Sequence, residues 1–237
     1  MWSHQTMPGL LIADSQLIQV TRRFRLRRTA SACVVVLGLL MSVSVWTEAQ
    51  AQADPGLLFR QADSHFRNGR IREAVAAFDA LAAAVPDEAP QLWQRGIALY
   101  YAARYADCRA QFESHRTVNP NDVENAAWHF LCVARAESPA AARAALLPVG
   151  PDRRSPMREV YGMLAGTVTP AQVLAAGAGD PSGTFYAELY VGLYFEALGD
   201  TVRSRSHLTA AASPQYAVAG GYMHRVAQVH VQLKGTR

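Results

Sequence analysis

Gln61-Ala62-Asp63-Ser64-His65-Phe66-Arg67-Asn68-Gly69-Arg70-Ile71-Arg72-Glu73-Ala74-Val75-Ala76-Ala77-Phe78 is the stretch that decides the fold, because its pattern returns 34 residues further on. Ala62, Phe66, Gly69, Ile71, Ala74, Phe78 and Pro86 are answered by Gly96, Tyr100, Ala103, Tyr105, Cys108, Phe112 and Pro120. Small falls on small, aromatic on aromatic, bulky on bulky and proline on proline. A fixed internal period means that one supersecondary unit is repeated, and that neighbouring units bury the apolar face that none can bury alone.

The period and the residue order resemble the tetratricopeptide repeat, a helix–turn–helix unit. That resemblance implies an all-α fold, a helical solenoid in which antiparallel helix pairs wind into a right-handed superhelix. Composition agrees with helix: half of the chain is hydrophobic, Ala dominates the apolar set, and β-branched runs are few. No sustained alternation and no Asn-Gly turn between apolar runs suggests strands.

The repeats are expected at 55–88 and 89–122, a degenerate stretch at 123–182, a further repeat at 185–212 and a capping helix at 217–233. Within the degenerate stretch, residues 123–136 read as one long helix, and Ser138-Pro139 as the cap and first turn of another reaching about Leu147. Ser155-Pro156 and Thr169-Pro170 read as two more such starts. Gly177, Gly179, Pro181 and Gly183 read as a flexible loop.

The basic pI of about 9.1 belongs to the beginning of the chain. Arg22, Arg23, Arg25, Arg27 and Arg28 precede the apolar run Ala32–Trp46, and Ala49-Gln50-Ala51 follows it. Positive stretch, apolar stretch and small-x-small site are the layout of a secretory signal peptide. Cleavage after Ala51 takes those five Arg with Asp14 and Glu48 and brings the formal charge from +4 to near +1. The remainder has no basic stripe for phosphate contacts, so nucleic acid is not an expected partner. The alternative is an uncleaved anchor, against which the apolar run, 15 residues long and containing Ser42 and Ser44, falls short of the roughly 20 that span a bilayer. Residues 1–19 form a poorly defined start that fits no export signal, and one reading places the true start at Val20.

Gln94-Arg95-Gly96-Ile97-Ala98-Leu99-Tyr100-Tyr101, Asn119-Pro120-Asn121-Asp122 and Trp128 resemble the central repeats of NlpI-type tetratricopeptide lipoproteins of the bacterial envelope. The likeness continues through Glu159-Val160-Tyr161 with Gly166, Leu193-Tyr194-Phe195-Glu196-Ala197-Leu198-Gly199-Asp200 and the final helix, roughly residues 90–230. The resemblance implies a periplasmic adaptor that brings peptidoglycan hydrolases and a tail-specific protease together. Two features depart from that family. There is no lipobox cysteine, since Cys33 stands at the front of the apolar run. Only one repeat precedes the shared core, so a homodimer of the family's kind stays open.

No catalytic constellation stands out: G-x-S-x-G, H-E-x-x-H, a phosphate-binding glycine loop and C-x-x-C are all missing. Cys108, His115, His129 and Cys132 suggest a metal-dependent enzyme as a rival reading, but Cys108 fills a small-residue packing slot and the spacings match no metal module. No cofactor or metal is expected. Cys108 and Cys132 read as reduced packing residues, with pairing in an oxidising compartment decided by one Cα separation.

The first helices of a repeat stack line its concave face. Helical spacing puts Phe59, Asp63 and Arg67 there from the first repeat, Trp93, Ile97 and Tyr101 from the second, and Leu131 and Arg135 from the third helix pair. Phe66, Tyr100, Phe78 and Phe112 read as core. Apolar anchors beside charged groups suit peptide recognition. The expected function is therefore an exported, non-catalytic adaptor whose concave groove binds envelope proteins or peptides.

Overall fold

The computed structural model describes residues 54–235; the export signal read at residues 1–51 lies outside them. Among the described residues every regular element is helical. The order is α1 (Pro55–Arg67), α2 (Ile71–Ala84), α3 (Trp93–Tyr101), α4 (Tyr105–His115), α5 (Val123–Ala136), α6 (Pro139–Ala144), α7 (Met157–Ala165), α8 (Pro170–Gly177), α9 (Pro181–Ala197), α10 (Thr201–Ala211) and α11 (Ala217–Gly235). Short 3-10 segments at Pro86–Gln91 and Pro214–Tyr216 fill the longer connections.

Most starts are written in the local sequence. Asp54, Asp122, Ser138, Asp180 and Asp200 each cap a helix by accepting a backbone N–H within the first turn, at 2.7–3.1 Å. Thr169 and Gln172 form a reciprocal capping box on α8. The two early turns are left-handed: Gly69 has φ +70° and Ala103 has φ +58°. Glycine enters that region without penalty, and the second repeat puts alanine in the same conformation at a small steric cost.

Sequential helices pack in pairs, α1 on α2, α3 on α4, α5 on α6, α9 on α8 and α10. Side-chain size governs how closely they approach. A Cβ on Gly96 of α3 would lie 2.6 Å from the Phe112 ring of α4. Gly192 and Leu208 repeat the relationship between α9 and α10, again at 2.6 Å. The core runs unbroken through Phe66, Phe78, Phe112, Trp128, Phe130 and Phe185.

Two local expectations are corrected. Ser155 does not cap α7; its hydroxyl donates to the Ala176 carbonyl at 2.9 Å, and α7 opens at Met157 with no side-chain cap. The glycine-rich stretch 177–183 is a tight joint, with Ala178–Asp180 between two helices, because Gly177 and Gly183 let α8 and α9 touch backbone to backbone: a Cβ on Gly177 would meet the Gly183 carbonyl oxygen at 2.4 Å. In addition, α6 stops at Ala144, three residues before Leu147.

The last helix matters most for function. It turns at Gly221, where φ is +50°, and packs on α9 and α10 and also on α1. The two ends of the described chain are thereby joined. No described helix is long and apolar enough to cross a membrane.

Candidate functional site: the inner wall and the cavity at its rim

The residues assigned to a concave groove divide into three groups. Ile97 and Leu131 are buried completely, at 0% and 1% exposure, and belong to the core. Phe59 meets Phe78 edge to face, with ring centroids 6.1 Å apart, inside the first helix pair. Asp63, Arg67, Trp93 and Tyr101 form a wall, and that wall already holds α11.

Tyr222 of α11 is the centre of the contact. Its ring meets Trp93 edge to face at 4.9 Å and stacks on Phe66 at 6.4 Å. The Arg67 guanidinium lies 5.8 Å from the ring centroid and is itself paired with Asp63 one turn away, at 2.8 Å. Burial, helped by the Asp63 charge, pushes the Tyr222 phenol well above its ordinary range, so it stays neutral there. Two turns on, the Tyr101 hydroxyl and His230 Nδ1 are 3.1 Å apart. Side chains predicted to face a groove thus face the chain's own last helix. Sequence reasoning took that helix for a terminal cap and missed Tyr222 and His230; the signal was present in the apolar stripe Tyr222, Val226, Val229 and Leu233.

Arg135, at the end of α5, sits apart from this wall. It helps line a cavity of about 500 Å³ at the rim, between the α1–α2 turn and the ends of α3, α5, α9 and α11. Tyr100, Tyr101 and Tyr105 supply aromatic surface, and Arg70, Arg72 and Arg135 supply cations. On its floor Glu196 accepts from the Tyr100 hydroxyl at 2.8 Å and pairs with Lys234 at 2.8 Å, with His230 at 4.0 Å. Burial would raise the Glu196 carboxyl, but His230, Lys234 and Tyr100 together hold it below its ordinary value. Burial lowers His230 despite the Glu196 charge. Burial and the same charge push Tyr100 and Tyr101 well above theirs. The floor is therefore an ion pair ringed by neutral phenols. The lining offers hydrogen-bond donors and fixed charge and contains no Ser, Thr or Cys.

The Cys108–Cys132 expectation is overturned. Their Cα atoms are 5.9 Å apart on α4 and α5 and the sulfurs are joined in a disulfide, a separation in the middle of the range that such bridges need. Two of the four side chains of the rival metal reading are consumed. Of the others, His115 Nδ1 faces the Pro90 carbonyl at 2.8 Å and His129 Nε2 faces Glu113 at 3.3 Å. A second cluster escaped sequence reasoning: Arg154, from the connection before α7, reaches Asp122, Glu124 and Asp152 at 2.6 Å each, and Tyr190 donates to Glu124 at 2.5 Å. It ties the long connection to the start of α5 and to α9.

Comparison with known protein families and with characterised sequences finds no family model and no curated protein that matches this chain.

Proposed function

We propose that this chain is an exported, non-catalytic protein-binding adaptor of the bacterial envelope, built as a tetratricopeptide-repeat solenoid. The observation that carries the proposal is the contact of Trp93, Arg67 and Tyr101 with α11. An aromatic and guanidinium wall that receives the apolar stripe of a helix has the chemistry of helix-in-groove recognition. The Cys108–Cys132 bridge supports a compartment outside the reducing cytoplasm. The repeat register of residues 55–122 and the likeness to NlpI-type proteins support the adaptor role, with a periplasmic protease or peptidoglycan hydrolases as the partner class.

Capture from the native envelope tests this. Tagged protein should be found in the periplasmic fraction and should retain a defined partner. A partner that takes this wall must replace α11 on it, so a synthetic peptide of residues 217–235 should compete with that partner, and Trp93→Ala should abolish its capture while helicity persists. Capture indifferent to both the peptide and the substitution would overturn the proposal.

A further inference from the structure

The rim cavity has more positive charge than its own structure uses. Four cations, Arg70, Arg72, Arg135 and Lys234, line it against two carboxylates, Glu73 and Glu196. Lys234 is spent on Glu196. Arg70 and Arg72 form no ion pair among the described residues. Arg135 reaches the Tyr105 hydroxyl alone, at 3.4 Å, and lies 5.8 Å from that ring's centroid. Tyr105 accepts there, so its own proton has no acceptor among the described residues. Three guanidiniums from two separate parts of the chain and one free phenolic donor converge on one cavity.

Guanidinium forks recognise carboxylate and phosphate alike, and the acidic groups of the cavity separate these. Glu73 and the charged Glu196 stand in the lining, and their repulsion grows with the ligand's charge, favouring a monoanion. Tyr100, Tyr101, Ile71 and Leu233 add apolar surface for a short methylene stem.

We propose that this cavity binds the carboxylate of an acidic side chain on a partner polypeptide, with Arg72 and Arg135 as its anchors and Tyr105 as a donor. The inference rests on the adaptor proposal only for the source of the carboxylate.

Titration of the purified protein with short peptides, followed by NMR, tests it. Acetyl-Gly-Glu-Glu-Gly-amide should bind, and the Gln-Gln analogue should bind at least about tenfold more weakly, the loss expected when a charge-assisted hydrogen bond is removed. Arg72→Ala and Arg135→Ala should each cost about tenfold, while Arg205→Ala on α10, outside the lining, should leave binding unchanged. Equal affinity for the Glu and Gln peptides overturns the proposal, as does an equal loss in Arg205→Ala, which would mean diffuse charge alone. Preference for a Gln-Gln peptide with a free C-terminus overturns the side-chain assignment, and stronger competition by inorganic phosphate than by acetate overturns the monoanion. Failure of the Glu peptide while envelope capture persists removes this inference alone; loss of capture while the Glu peptide still binds removes the adaptor proposal alone.

Discussion

Trp93 of α3 and Tyr222 of α11 meet edge to face with ring centroids 4.9 Å apart, and this contact joins α3 to the last helix. Aromatic pairs in this arrangement contribute beyond the area they bury. Tyr222 is partly buried against the core, so Tyr222→Ala should lower stability by about 2 kcal/mol, below the range for aromatic truncation inside a core. Amide exchange should accelerate in α11 before it does in α9. Tyr222→Phe keeps the ring contacts and should melt close to the parent. A Tyr222→Ala protein with unchanged melting and exchange would mean that α11 is not held by this wall.

Gly96 sits where α3 and α4 touch, with no room for a side chain before the Phe112 ring. Gly96→Leu should destabilise the protein by about 1–3 kcal/mol or more through overpacking. A thermal melt unchanged by the substitution would place the repeat boundary elsewhere.

The early helices were legible because their signals are local. The 34-residue pairing of Gly96 with Ala62 and of Phe112 with Phe78 reports a size constraint that the structure shows at Gly96 against Phe112 and again at Gly192 against Leu208. Asp122, Ser138 and Thr169 announce their helices through hydrogen bonds that span two or three residues. What escaped depends on distant partners. The apolar stripe of α11 shows that one face is buried, but nothing near Tyr222 says that Trp93 covers it. Arg154 likewise reads as one more surface arginine until Asp122 and Glu124 are brought to it. The stretch at Gly177 misled for a related reason: glycine marks both loosened backbone and backbone in close contact, and only the neighbouring helix distinguishes them.

Cys108 and Cys132 close a loop with a sequence separation of 24. Chain-entropy arguments assign a loop of that size about 3 kcal/mol of stabilisation. Reduction with dithiothreitol, or Cys132→Ser, should lower the melting temperature accordingly, and intact mass without reductant should show no free thiol at either position. Free thiols in protein taken from its native compartment would refute the pairing.

Acidification should destabilise the fold through its buried histidines. Burial lowers His115, His129 and His230 from the ordinary 6.5, so each takes up its proton at higher pH when the chain is unfolded. The unfolded chain then binds more protons, and stability falls as pH drops from about 6.5 toward the folded-state values. The carboxylates facing two of these rings act lower on the scale. Glu113, held down chiefly by Arg109, and Glu196, held down against burial by His230 and Lys234, contribute stability above their ordinary 4.5 that is lost as pH falls further. Glu124, which burial raises despite Arg154, opposes the trend with a single group. Melting temperature measured from pH 7.5 to 5 should therefore decline steadily. His129→Gln, which can still donate to Glu113, should flatten the upper part of that decline. A melting temperature that stayed level or rose on acidification would show that these imidazoles are solvated in the folded protein, and that the α4–α5 and α3–α11 contacts built around them are looser than described.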